Sequence, residues 1–144
     1  MLLTKQQKYL LTVLEQLGCA EQQQLAVLLQ KMFAFSSLDD AVRVTGACIR
    51  QMQLGGLLQI ADSIVARNEV QPSAQRIEAI DVMLELSAAQ PEDFYVMDKQ
   101  ILLRFSLGEP SFKQFVIVSG NDPPPEREIR QDEKVIVLLP DGAK

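Results

Sequence analysis

The chain of 144 residues contains no histidine. That removes the commonest general base at neutral pH, together with the histidine-containing metal and nucleophile arrangements. Two cysteines, Cys19 and Cys48, are too few to build a structural zinc site alone. Both sit in apolar, helical-looking surroundings, where reduced and packed thiols are expected rather than a bridge. No glycine-rich phosphate loop is present, since Gly55-Gly56 and Gly108 read as helix-end and turn glycines. Apolar runs are short, as at Val135 to Leu139, so no transmembrane span is available. The opening MLLTKQQKYLL meets polar residues at once and is not read as a signal peptide. A cytoplasmic protein without a cofactor is the expectation, with no internal repeat or low-complexity segment.

What is present suits a folded chain. Hydrophobic residues make up 47%, ordinary for a globular protein and too rich for disorder. The length fits one domain or two very small ones. The net charge of −5 is unevenly spread. Residues 1–70 hold six basic side chains (Lys5, Lys8, Lys31, Arg43, Arg50 and Arg67) against six acidic ones. Residues 71–144 hold eight basic against thirteen acidic, so the whole negative excess lies there. A neutral half can still present a local positive surface to phosphate. The overall pI near 4.7 nevertheless counts against tight nucleic-acid binding by an isolated monomer.

The periodicity predicts a first helix from about Thr4 to Leu17, capped by Thr4 and ended by Gly18, with Leu10, Val13, Leu14 and Leu17 inward. A second helix is expected from about Glu21 to Met32, its stripe being Leu25, Leu28, Leu29 and Met32. A third begins after Ser36 or Ser37, each of which has an aspartate three residues on. Its expected inward stripe is Leu38, Val42, Thr45, Ile49 and Met52, flanked by Ala41 and Cys48, and Gly55-Gly56 supplies the stop. LLQIADSIVAR then alternates about Asp62-Ser63 as a short hairpin would.

A fourth helix is expected over about Ser73 to Ala89, after which the period becomes extended. DFYVMD, QILLRFSL and FKQFVIVS read as three consecutive strands, with turns near Asp98-Lys99 and at Gly108-Glu109-Pro110. GNDPPPERE reads as a stiff loop and Arg127 to Asp132 as a helical turn. The final strand, KVIVLLP, is nearly all apolar and is expected to be buried on both faces. The fold class expected is α+β, in two domains, 1–70 and 71–144, joined near Glu69 to Pro72.

Three helices followed by a hairpin is the order of a winged helix-turn-helix, in which the third helix enters the major groove and the hairpin touches the flanking backbone. Arg43, Gly46, Ala47 and Arg50 fall on one outward helical face. Small residues between two arginines let the backbone approach bases while guanidinium groups reach phosphate or a guanine edge. Arg67 at the end of the hairpin, with Lys5, Lys8 and Lys31 elsewhere, would add phosphate contacts. The other reading of two arginines seven apart is a solvated face. Asp39 and Asp40 would repel phosphate, and winged helices also serve as docking modules. Double-stranded DNA is therefore the expected partner, and a protein-interaction adaptor the alternative.

The opening LTKQQKYLLTVLEQLG, the helix end IRQMQLGGLL and the later IEAIDVMLEL resemble a small family of uncharacterised bacterial proteins. Those are related in their N-terminal half to the replication-relaxation proteins of plasmids and conjugative elements. The resemblance implies a winged-helix DNA-binding module with an appended α/β half, acting in regulation or in replication and transfer of a mobile element.

The second half, read as helix, three-strand meander, helical turn and strand, also has the skeleton of a restriction-endonuclease-like core. Such nucleases need an acid on the second strand and acid-x-Lys on the third to hold Mg²⁺ and orient water. Here the second strand offers Arg104, and Ser111 stands two residues before Lys113. The expected core is thus degenerate and not catalytic. Glu78, Asp81 and Glu85 share a helical face, a pattern that usually means solvated surface. The second half is expected to bind a protein partner or a second copy of the chain.

Overall fold

The computed structural model describes residues 3–68, 70–96, 101–108, 113–120 and 133–138. Among these the protein is a mixed α+β chain with four helices and two sheets. It divides into two compact units, Met1–Ile77 and Glu78–Lys144. The expected turn at Asp98-Lys99, the Glu109-Pro110 part of the next turn, the proline loop beyond Gly120 and the helical turn at Arg127 to Asp132 lie outside the described residues.

The first unit runs α1 (Lys5–Leu17), β1 (Cys19–Glu21), α2 (Gln22–Phe33), α3 (Leu38–Leu54), β2 (Leu58–Ala61) and β3 (Ile64–Arg67). Helix α1 starts at a reciprocal cap. The Thr4 hydroxyl accepts from the Gln7 N–H, and the Gln7 side chain accepts from the Thr4 N–H. Two otherwise orphaned donors are thereby satisfied. It ends at Gly18, whose φ of +83° disfavours any side chain. A Cβ there would also meet Val70 at 3.4 Å.

Directly after Gly18 the chain makes a three-residue strand rather than entering α2 at once. Strand β1 pairs antiparallel with β3, Cys19 opposite Ala66 and Glu21 opposite Ile64. Cys19 is therefore a buried strand residue, not a helical one, and the expected two-stranded hairpin is a three-stranded sheet in the order β1-β3-β2. Strands β2 and β3 turn through Asp62 (φ 51°) and Ser63 (φ 65°). Both central residues lie in the left-handed region, as a primed two-residue turn demands, although neither is glycine.

The core of this unit is made by Leu10, Leu14, Leu17, Leu25, Leu29, Ile49 and Met52, all essentially without exposure. Two expectations about the stripes are corrected. Met32 is exposed because the buried arc of α2 turns toward Gln24, Leu25 and Leu28. In α3 the buried row is Ala41, Thr45, Ile49 and Met52, with Leu38 and Val42 only half-buried at its margin.

In the second unit, α4 (Ala74–Leu86), which begins in the first, leads to β4 (Glu92–Tyr95), β5 (Ile101–Ser106), β6 (Gln114–Ser119) and β7 (Glu133–Leu138). The sheet order is β4-β5-β6-β7, antiparallel except for the parallel β6–β7 pair. One face carries Leu103, Phe105, Phe115 and Ile117, and the Phe105 and Phe115 rings stack with centroids 5.1 Å apart. Such a pair adds about 1 kcal/mol beyond its buried area. The apolar strand β7 is not buried on both faces. It is the edge strand, with Lys134, Val135 and Val137 exposed. Parallel pairing with β6 leaves its other side without a neighbour among the described strands.

Candidate nucleic-acid interface

The third helix has a defined start. Ser37 is its N-cap, accepting from the Asp40 N–H at 3.1 Å, and Asp39 and Asp40 sit in the first turn, where negative charge suits the helix dipole. With Ala41, Thr45, Ile49 and Met52 buried, the opposite face is turned outward. Arg43, Ala47 and Arg50 are exposed on it, the two arginines two turns and about 10 Å apart along the axis.

Gly46 does not belong to the open part of that face. It is half-buried, and a Cβ at this position would lie 3.1 Å from the Gln22 Nε2. The atom it would meet is the far end of the flexible Gln22 side chain, at the start of α2. Arg43 is engaged locally, its Nη2 lying 3.1 Å from the Asp40 Oδ1, with 77% of the arginine side chain exposed. An exposed pair of this kind contributes only about 0.2–1 kcal/mol, so a phosphate can displace it.

Arg67 lies at the base of the hairpin. It stands opposite Leu58, three residue pairs and roughly 10 Å from the turn. Its backbone N–H donates to the Gly18 carbonyl at 3.1 Å, while its side chain is exposed. The tip itself carries the exposed Asp62 and Ser63. The Gln7 Nε2 donates to the Gln51 Oε1 at 2.8 Å, and the Thr4 side chain lies beside the Cys48 thiol. The start of α1, with the exposed Lys5 and Lys8, is thereby held against the C-terminal half of α3. Burial pushes the Cys48 thiol up, and the Thr4 hydroxyl partly opposes this, so the thiol is not an activated nucleophile.

The second unit has a different feature, a cleft of about 140 Å³. At its base the Arg104 Nε lies 3.1 Å from the Glu133 Oε2, with only 12% and 2% of the two side chains exposed. Asp93, Tyr95, Phe105, Ser106 and Gln114 complete the lining. Strand periodicity alone did not reveal this pair, because its members stand on strands separated by β6. The only hint is a charge of opposite sign in each of two largely apolar strands, Arg104 in β5 and Glu133 at the start of β7. Glu78, Asp81 and Glu85 lie exposed along α4. Among the described residues no three acidic, cysteine or histidine side chains are grouped to hold a metal ion. No described helix is long and apolar enough to cross a membrane.

No family model, no curated protein and no solved structure matches the chain.

Proposed function

We propose that residues 1–77 are a winged helix-turn-helix that binds double-stranded DNA through α3, without catalysis, in regulation or in the replication or transfer of a mobile element. The observation that carries this reading is the outward face of α3. A capped helix packs one side into the core and leaves Arg43, Ala47 and Arg50 on the other. The order α1-β1-α2-α3-β2-β3 and the sheet order β1-β3-β2 support the same reading. On it, Arg43 and Arg50 reach phosphate or base edges, and the small Gly46 and Ala47 between them let the helix sit deep. Arg67, at the hairpin base, and Lys5 and Lys8, on α1, add phosphate contacts. The second unit, with its acidic excess, stays off the DNA and provides protein contacts.

The test is a salt titration of binding to random duplex, read by fluorescence anisotropy. Affinity should fall steeply with salt, and Arg43→Ala/Arg50→Ala should weaken binding and reduce the log–log slope by about two. Duplex binding by the double variant equal to that of the original chain, or no binding by either at low salt, sinks the proposal.

One observation favours a second reading, a protein-docking adaptor. Leu54 at the end of α3 is 83% exposed, and Leu57 follows it on the surface. An adaptor would bind its partner with little salt dependence and lose that binding on Leu54→Lys rather than on loss of the arginines.

A further inference from the structure

The two edges of the C-terminal sheet are built differently. At the β4 edge, Pro91 precedes the strand and Glu92 and Asp93 are exposed. Asp93 has φ 46°, and the register shifts between Glu92 and Tyr95. Proline, charge and a bulge are the usual devices that stop another strand from adding. The β7 edge has no proline and no bulge among its described residues, and Lys134 is its one exposed charge. The strand holds six consecutive residues in unbroken register with β6, and its exposed members include Val135 (44%) and Val137 (51%). Those valines stand beside the fully buried Val116 and Val118 of β6, so an apolar band runs outward to the edge and stops there.

We infer that β7 pairs antiparallel with β7 of a second copy of this chain, about a two-fold axis at Ile136, joining the two four-stranded sheets into one. The second copy fits because the edge is self-complementary in this register. A two-fold axis normal to the sheet keeps each side chain on its own face. Val135 then meets Val137 of the second copy, and Val137 meets Val135, closing the apolar band from both sides. Lys134 lies opposite Leu138 of the second copy, where its stem packs and its ammonium stays in water. No like charges face each other. An axis at Lys134 would instead oppose two lysines and leave Val137 uncovered. A single strand pair is small beside a standard interface of about 1,200–2,000 Å², so the dimer dissociates on dilution. The inference is independent of DNA binding.

Sedimentation velocity over a concentration series, with the full-length chain, tests it. The original chain should show a monomer–dimer equilibrium, and Val135→Lys/Val137→Lys should raise its dissociation constant by about tenfold or more. Both positions are exposed, so circular dichroism should be unchanged. Register is read by mild oxidation in a Cys48→Ser background. Ile136→Cys places two thiols across the axis on Cβ atoms about 5 Å apart and should give a disulfide dimer. Lys134→Cys places them about 13 Å apart and should not. A monomer at all concentrations overturns the inference, as does a dimer indifferent to the lysine pair. Cross-linking through Lys134→Cys as readily as through Ile136→Cys also overturns it.

Discussion

The Gln7 side chain serves two partners at once: its oxygen closes the cap of α1 on Thr4, and its nitrogen donates to the Gln51 Oε1 at 2.8 Å. A residue that an amphipathic pattern would assign to the surface is only 2% exposed and ties α1 to α3. Gln7→Ala removes the cap acceptor and the interhelical bond together. A loss of about 1–2 kcal/mol in chemical denaturation is expected. Gln51→Ala, which leaves the cap intact, should cost less. Equal costs would mean that the interhelical bond, not the cap, dominates.

Thr45 poses the opposite case. Its hydroxyl is fully buried in α3 and has no hydrogen-bond partner among the described residues. Thr45→Val keeps the shape and removes the unsatisfied group, so stability should hold or rise by about 1 kcal/mol. Thr45→Ser keeps the hydroxyl and adds a void, and should destabilise. A marked loss in the valine variant would show that the hydroxyl has found a partner.

The turn at the hairpin tip carries avoidable strain. Ser63 occupies φ 65° with a side chain pointing to solvent. Replacing it by glycine should stabilise by about 1 kcal/mol, seen as a raised Tm. A lowered Tm would mean that the left-handed conformation is not maintained in solution.

In the second unit Arg104 and Glu133 are both largely buried at 3.1 Å. Arg104→Met takes the guanidinium away from a buried carboxylate and should cost about 3–5 kcal/mol. The double change Arg104→Met/Glu133→Leu should recover most of that loss, because burying two charges was itself costly. If the double variant is no better than the single one, packing rather than charge accounts for the cost.

Burial pushes the Tyr9 phenol, whose ring meets Phe33 edge-on at 5.8 Å, up to about 12. In the unfolded chain it ionises near its ordinary value of about 10. Between those values the folded state holds a proton that the unfolded state has lost, so stability falls as pH rises through this window. Tyr9→Phe should flatten the decline measured by urea denaturation between about pH 10 and about pH 12. An unchanged decline would place its origin in other groups.

The four helices were legible because helix formation is local. Leu10, Val13, Leu14 and Leu17 recur within a single element, and Thr4, Ser37 and Gly18 act within a few residues of their own positions. Of the candidate interface, the same periodicity placed Arg43, Ala47 and Arg50 on one exposed face. Gly46, placed on the same face by the pattern, is half-buried beside Gln22 of another helix, a neighbour that periodicity does not reveal.

What tertiary structure decided was everything that depends on a distant partner. Strand β1 is three residues long, too short for any alternation, and exists because β3 returns to pair with it. The aspartate-serine turn is held in an unfavoured conformation by the flanking ladder. Glutamines 7 and 24 are buried because a helix and a carbonyl elsewhere in the unit accept their amides. The final strand reads as doubly buried by composition, yet parallel pairing on one side leaves it an edge. Hydrophobic pattern specifies which residues prefer to leave water. Which surface covers them is settled only when non-local strands and helices meet.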